Sequence, residues 1–425
     1  MLASDAPLSR WLSWLETLSP SEINLGLERV LEVLARLDLR LPPHVLIIAG
    51  TNGKGSSVAM ADALLRASGK RSGAYTSPHI RSYNERIVID GVAVSDAEII
   101  ASFERIEAAR GDAELTYFEF GTLAAFDIFA AANLDVWVLE VGMGGRLDAT
   151  NAIESSACLI TNISLDHCDW LGPDVESIAY EKAGVMRRGK PAIFAGSVAG
   201  QTISQVAREK GAKLIVAGQD FSAVDNDDGS WTWKGPTREL RALRKPGLKG
   251  AFQVRNAAAV LALLDAAGLG DGIDSELINR VLPALSVTGR LQELRAHNRA
   301  WLFDVAHNPA ASEALASTLE TMQSGGQLIA IVGVLADKDV AGVIGPLTQW
   351  VDRWVAMTAD SHRALPANDL ARQVSNLSGK PCLVADSIAA AVEFARRCAS
   401  ENDRILVTGS FFTVGPVLSQ LAADS

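Results

Sequence analysis

Val45-Leu46-Ile47-Ile48-Ala49-Gly50-Thr51-Asn52-Gly53-Lys54-Gly55-Ser56 runs from five apolar residues straight into a turn holding three glycines and a lysine. An aliphatic run without polar alternation reads as a strand buried on both faces. Beyond the turn, Val58, Ala61, Leu64 and Leu65 share one helical face, with Ser56 or Ser57 expected as cap and Gly69 as the stop. In a strand–loop–helix unit of this kind, glycines let backbone N–H groups face phosphate oxygens. The helix N-terminus adds positive potential, and Lys54 can reach the terminal phosphates. The reading is a nucleoside triphosphate cradle. It departs from the generic P-loop twice: Ile48 stands where the first glycine would be, and Gly55 separates Lys54 from Ser56. The competing reading is a structural glycine turn with an exposed lysine.

Outward from this unit, Val136 to Val141 and Leu159 to Ile163 are further buried-strand candidates with helical stretches between them. From Trp301 onward, strands are expected at Trp301–Val305, Leu328–Val334, Trp354–Met357, Cys382–Ala385 and Ile405–Thr408, separated by helix-like segments. Asp225 to Lys249, with Trp231 and Trp233, suggests a hairpin and loop before a helix from Gln253 to Ala267. The expected domains are 1–288 and 289–425, with the boundary near Thr288. No repeat of 20 to 50 residues and no low-complexity tract is visible.

A chain of 425 residues suits two domains, and 48% apolar with 21% charged residues describes a globular protein rather than a disordered or coiled-coil one. Lysine and arginine total 39 against 50 aspartates and glutamates, a net charge of −11, which argues against a nucleic-acid partner. The four cysteines, Cys158, Cys168, Cys382 and Cys398, lack CxxC spacing, as expected for a reducing cytoplasm. Asp5, Arg10 and Glu16 lie among Trp11, Trp14 and Leu15, unlike a signal peptide. Glu119, Asp127 and Asp135 interrupt the most apolar region, so no membrane span is expected.

Several residues could carry chemistry at strand ends, where open α/β sheets place their sites. Glu140 closes an apolar strand ahead of Gly142-Met143-Gly144-Gly145-Arg146 and could hold Mg²⁺, a hard cation that prefers oxygen. Ser77, in Thr76-Ser77-Pro78-His79, and His167 would end nearby if their strands are parallel neighbours. Singly, they read as a turn residue and a structural histidine. Asp304, His307 and Asn308 precede Pro309, where an Asp turn before a helix is the plain alternative. Lys182, in Glu181-Lys182-Ala183-Gly184, alone reads as a solvated helix-end lysine.

Taken together these motifs resemble the folylpolyglutamate synthases, and more closely the bifunctional bacterial enzymes that are also dihydrofolate synthases, within the wider Mur ligase group. The ordered series is Asn24-Leu25-Gly26-Leu27, Gly50 to Ser56, Thr76 to His79 with Asn84-Glu85-Arg86, Phe118-Glu119, Glu140 to Asn151, Asp166-His167, Glu181 to Gly184, Asn256, Gly289-Arg290, Asp304 to Pro309, Leu335 to Asp339 and Gly409-Ser410-Phe411. The resemblance implies a P-loop Mur-ligase-type ATPase domain with a central, mostly parallel sheet, and a smaller C-terminal Rossmann-like α/β domain. It implies that Thr51, Asn52, Gly53, Lys54, Gly55 and Ser56 bind ATP phosphates, with Asn256, Arg290 and Asp304 contacting ATP from the far side of a cleft. Ser77, Glu140 and His167 would be metal ligands. Lys182, carboxylated by CO₂, would bind a second Mg²⁺, and a monovalent cation is a further possible cofactor. Leu25, Gly26, Leu27, Phe118, Glu119, Phe120 and Leu147 would line the pterin and aminobenzoate site.

The chemistry implied is carboxylate activation: the acceptor carboxylate attacks the γ-phosphate of ATP, and L-glutamate captures the acyl phosphate. The second domain is expected to close over this intermediate before it hydrolyses. His307 is expected at the glutamate end, positioning it or handling its proton. Acceptors would be dihydropteroate, tetrahydrofolate and its polyglutamates, and the enzyme is expected to be a cytoplasmic monomer. About fifty residues precede the loop, beginning with an amphipathic helix from Leu8 to Leu18. That is too little for the UDP-binding domain of peptidoglycan ligases. A nucleotide-driven switch that makes no amide is the rival class; it would show no glutamate requirement.

Overall fold

The computed structural model describes residues 6–19, 24–322 and 325–423. Asp5 and the outer ends of the two expected domains, 1 and 425, lie outside them. The chain forms two compact units. The first takes the described residues up to Pro78 together with Asn84–Lys245 and Val254–Ala284. The second takes His79–Tyr83, Pro246–Gln253 and the described residues from Leu285 onward.

In the first unit, α1 (Leu8–Leu15) and α2 (Glu28–Leu37) precede β1 (His44–Ala49), α3 (Lys54–Ala67), β2 (Ser72–Tyr75), β3 (Ile87–Ile89) and β4 (Val92–Ala93). There follow α4 (Asp96–Arg110), α5 (Tyr117–Ala131), β5 (Val136–Glu140), β6 (Ala157–Ile160), α6 (Cys168–Leu171), α7 (Val175–Ala183), β7 (Pro191–Phe194) and β8 (Lys213–Val216). The eight strands make one sheet in the order β4-β3-β2-β5-β1-β6-β7-β8, parallel from β2 through β8. Val45 to Ala49 and Val136 to Glu140 are buried throughout, as strands covered on both faces must be. β1 lies between β5 and β6, so loops leaving the carboxyl ends of four neighbouring strands, β2, β5, β1 and β6, emerge side by side. This is where an open α/β sheet gathers its functional groups.

Three differences from the sequence expectation have physical causes. Strand β6 stops at Ile160, although apolar character continues to Ile163, because Thr161 and Asn162 turn away to bond the glycine loop. The α3 cap is Gly53 rather than Ser56 or Ser57. Both serines lie inside the helix and are buried. The Asp225–Lys249 excursion is a three-stranded antiparallel sheet, β9 (Ser222–Asp225), β10 (Trp231–Lys234) and β11 (Glu239–Leu243). Trp233 anchors it by donating its indole N–H to Ala258 O of the helix Phe252–Ala266 at 3.0 Å.

The second unit has a six-stranded sheet built from β12 (Gln292–Ala296), β13 (Arg299–Phe303), β14 (Leu328–Val332), β15 (Arg353–Met357), β16 (Cys382–Ala385) and β17 (Arg404–Thr408). Its order is β12-β13-β17-β14-β15-β16, parallel except for the β12–β13 edge pair. Two buried clusters accompany it, one around Trp354, Ile344 and Leu370, the other around Trp301, Ile331 and Val417. This is the Rossmann-like α/β arrangement. Among the described residues, no helix is long and apolar enough to cross a membrane, and the four cysteines are free thiols.

Candidate active site

The glycine loop is held open from its neighbour strand. Thr51 N donates to Asn162 O at 2.9 Å, Asn52 N donates to Asn162 Oδ1 at 2.8 Å, and Thr161 Oγ1 donates to Asn52 O at 2.7 Å. Thr51 Oγ1 reaches Ser164 O at 3.1 Å. Two positions need glycine for distinct reasons. A Cβ at Gly50 would fall on Thr161 Oγ1, and Gly53 has φ +84° with the Asn256 amide 3.0 Å from where a Cβ would sit. Replacing Gly50 with alanine is therefore expected to cost about 1–3 kcal/mol of stability through overpacking. It should also weaken nucleotide binding, readable by thermal melts with and without ADP; a variant that melts and binds like the parent would contradict the close approach.

Lys54 opens α3 and folds back on its own loop, its Nζ donating to Gly50 O at 3.1 Å and Thr51 O at 3.2 Å. Lys182 reaches the same carbonyl from α7: its Nζ donates to Gly50 O at 3.0 Å, across 132 residues of chain. Lys182 is only 4% exposed. Burial first, and then repulsion from Lys54, push its pKa down from 10.5 to about 7. The solvated helix-end reading of Lys182 is thus wrong: two amines converge on one oxygen, and burial of the deeper one favours its neutral form.

Lys182 is placed by packing between α7 and the loop after β5. Arg146 N donates to Glu181 O at 2.8 Å and Arg146 Nη2 to Glu181 Oε1 at 2.8 Å. Asp148 ties the loop internally, accepting from Met143 N at 2.9 Å and from Thr150 N and Oγ1 at 3.0 and 2.6 Å. Burial raises the Asp148 pKa, opposed by these bonds. Half-buried Leu147 sits between the two anchors.

Glu140, 4% exposed, ends β5 next to this loop, and Ser77 N donates to its Oε2 at 3.2 Å. Ser77 follows β2, the strand beside β5, so the two are brought together as parallel neighbours. His167 caps α6 with φ +53°, a left-handed conformation that non-glycine residues adopt at a cost, beside Asp166. Among the described residues, no cluster of three or more His, Cys, Asp or Glu forms a metal site. The expected set holds only two such residues, completed by a serine hydroxyl and a lysine.

The expected acceptor wall divides. Leu25, Leu27, Phe118 and Leu147 are half-buried, and Phe118 lies against Gly142, where a Cβ would come within 2.5 Å of its ring. Phe120 is fully buried, and its ring packs on Phe103 at 5.3 Å and Trp14 at 6.1 Å, facing the helical core. The Glu119 Oε2 accepts from Thr116 N at 2.7 Å in a capping box and its Oε1 pairs with Arg29 at 2.8 Å, so both oxygens serve the protein.

Asn256 is also relocated. It belongs to the first unit, its amide beside Gly53, on the loop's own side rather than opposite it. In the second unit, Asp304 Oδ2 accepts from Leu291 N at 3.0 Å and Oδ1 from Ala306 N at 2.9 Å. Burial raises the Asp304 pKa, with Arg290 the main opposing charge. The Arg290 guanidinium stacks 5.3 Å from the Phe411 centroid. His307 Nδ1 lies 2.8 Å from Val305 O, which can only accept, so Nδ1 is the donor in this contact. Asn308 caps the helix Pro309–Thr321 through Ala311 N at 2.9 Å.

Thr161, Asn162 and Arg29 received no role in the sequence reading, and Arg146 and Asp148 appeared there only as members of the Glu140–Asn151 series. Thr161 and Asn162 carried a legible signal, being polar residues inside an apolar run at the carboxyl end of a strand, whereas nothing local marked Arg29.

The loop and both sheets define a Mur-type ligase: residues 48–264 match the Mur ligase middle domain and residues 289–411 the Mur ligase glutamate ligase domain. Curated relatives include the dihydrofolate synthase/folylpolyglutamate synthase of Escherichia coli K12, 42% identical over 98% of this chain and 96% of the relative. That of Mycobacterium tuberculosis H37Rv is 34% identical over 89% and 86%. Among solved structures, E. coli FolC in complex with DHPP and ADP superposes with TM-score 0.93 at 40% identity, covering all of both chains. A bifunctional folylpolyglutamate synthase/dihydrofolate synthase with Mn, AMPPNP and L-glutamate bound gives 0.90 at 41% identity, over 99% of each chain. The chain belongs to the dihydrofolate synthase/folylpolyglutamate synthase family and is a ligase.

Proposed function

We propose that this chain joins L-glutamate to the carboxyl group of dihydropteroate, giving dihydrofolate, and extends tetrahydrofolate and its polyglutamates by the same chemistry, with ATP as phosphoryl donor. The observation that supports this most is the glycine loop pinned at the carboxyl edge of the sheet with Lys54 and Lys182 on one carbonyl. Residues Thr51 to Ser56 would cradle the triphosphate, with Asn256 beside them and Arg290 and Asp304 as further ATP contacts. Leu25 to Leu27, Phe118 and Leu147 would hold the flat pterin and aminobenzoate rings, apolar walls being suited to them. In this division of labour, 1–288 handles ATP and acceptor and 289–425 the glutamate.

The donor set suits a hard divalent cation such as Mg²⁺: the Glu140 carboxylate, the Ser77 hydroxyl and the His167 imidazole for one ion, and carboxylated Lys182 for a second. When bound, the metal offsets the charge of the transferring phosphoryl group. Burial lowers the Lys182 pKa and so favours the neutral amine, the form that can add CO₂. A monovalent cation is a further cofactor in this reading, and the enzyme is a cytoplasmic monomer.

The acceptor carboxylate oxygen forms a bond to the γ-phosphorus as the bond to the β–γ bridging oxygen breaks, yielding an acyl phosphate and ADP. Lys54 would stabilise the charge on the transferring group. The glutamate amine then bonds to the acyl carbon, phosphate departs with the C–O electron pair, and the amine proton is lost. His307 Nε2 is the group assigned to orient that amine or take the proton.

The test is an incubation of the protein with ATP and dihydropteroate, with and without L-glutamate, following phosphate release and product mass. Glutamate-dependent phosphate release with dihydrofolate formed is the expected result. Nucleotide hydrolysis indifferent to glutamate would favour a switch and overturn the reading.

A further inference from the structure

We propose that Arg29 is a positioning residue that latches the Asn24–Leu27 loop to the N-terminus of α5 and so sets the affinity for the pterin acceptor. The inference rests on the reading that Leu25, Leu27 and Phe118 wall the acceptor. Arg29 stands on the first turn of α2, directly after that loop. Its Nη2 donates to Asn24 O at 2.7 Å and to Glu119 Oε1 at 2.8 Å, so one nitrogen ties the loop to a different helix. A Cβ at Gly26 would lie 3.8 Å from Arg29 Nη1, an ordinary contact distance, so the guanidinium also borders the loop at Gly26.

The partner is itself fixed. Glu119 is 4% exposed, and its other oxygen closes the capping box of α5 on Thr116 N. The residue before it, Phe118, packs on Gly142. A chain of contacts therefore runs from the loop through Arg29 and Glu119 to Phe118 and the loop after β5. The phosphate loop is stapled separately, by Thr161 and Asn162. Loss of Arg29 frees one set of walls and leaves the other in place, a separation that a general loss of stability would not produce.

The experiment measures KM for dihydropteroate and for ATP in the wild-type protein, Arg29→Ala and Arg29→Lys, with saturating glutamate. Removing a charge-assisted bond from Arg29→Ala is expected to raise the acceptor KM about tenfold or more. The KM for ATP should stay within about twofold, since uniform binding of the other substrate is untouched. Arg29→Lys keeps the charge but not the fork, so its acceptor KM should fall between the two. It also supplies the comparison if Arg29→Ala does not fold. Unchanged acceptor KM in the folded variants, or an equal rise in both constants, overturns the latch. Failure of the wild-type protein to turn over dihydropteroate and glutamate would instead overturn the function on which the latch rests.

Discussion

Lys54→Ala is expected to lower glutamate-dependent ADP release by on the order of 10²–10³-fold, the range for removing one preorganised group that stabilises developing charge. The lysine starts α3, where its ammonium sits among the loop carbonyls of Gly50 and Thr51. A charge held there before substrate arrives needs no reorganisation when negative charge moves onto the transferring phosphoryl group. The loop's shape does not depend on this side chain, because Thr51, Asn52 and Thr161 hold it through other bonds. The variant should therefore melt close to the wild-type temperature while losing turnover. Phosphate release at the wild-type rate by a folded Lys54→Ala protein would remove the basis for the cradle.

The second large effect concerns Lys182. Lys182→Ala is expected to reduce turnover by on the order of 10²-fold and Lys182→Glu by about tenfold, because a glutamate carboxylate approximates the anionic carbamate whereas alanine supplies no charge. Depleting CO₂ from the wild-type assay should lower the rate and added bicarbonate restore it. Equal damage from both substitutions, together with indifference to bicarbonate, would count against carboxylation.

The unmodified amine has its own pH signature. Burial lowers its folded-state pKa from 10.5 to about 7, so between those values the unfolded chain binds a proton that the folded chain does not. Stability contributed at this site is present above 10.5, is lost as pH falls through the window, and stays lost below about 7. Lys182→Met should flatten that dependence in a melting-temperature series taken without bicarbonate.

Much of the first unit was readable because its signals are local. The run from Val45 to Ala49, the glycines after it and the helical face of Val58, Leu64 and Leu65 involve near neighbours, whose hydrogen bonding and burial follow from residue type and spacing. The same holds for five strands of the second unit, β13 to β17, with half of their ends shifted by one or two residues; the edge strand β12 (Gln292–Ala296), polar and half exposed, was not anticipated. The acceptor wall was less legible. Phe118 and Phe120 differ only in the direction each faces on α5, and it was the packing of Phe103 and Trp14 that drew Phe120 into the core. Glu119 could not be recognised as a structural carboxylate without Arg29, which lies 90 residues away.

Composition, periodicity and the Gly50–Ser56 motif determined that the chain is a two-part α/β protein with a glycine-rich turn after its first strand, because turns, caps and apolar faces are short-range properties. The tertiary structure decided which polar groups work together. Strand order put the ends of β2, β5, β1 and β6 side by side, and the packing of α7 carried Lys182 across 132 residues to the Gly50 carbonyl. A buried amine beside a second cation has a chemistry that neither lysine has in water, and only the folded chain removes that water.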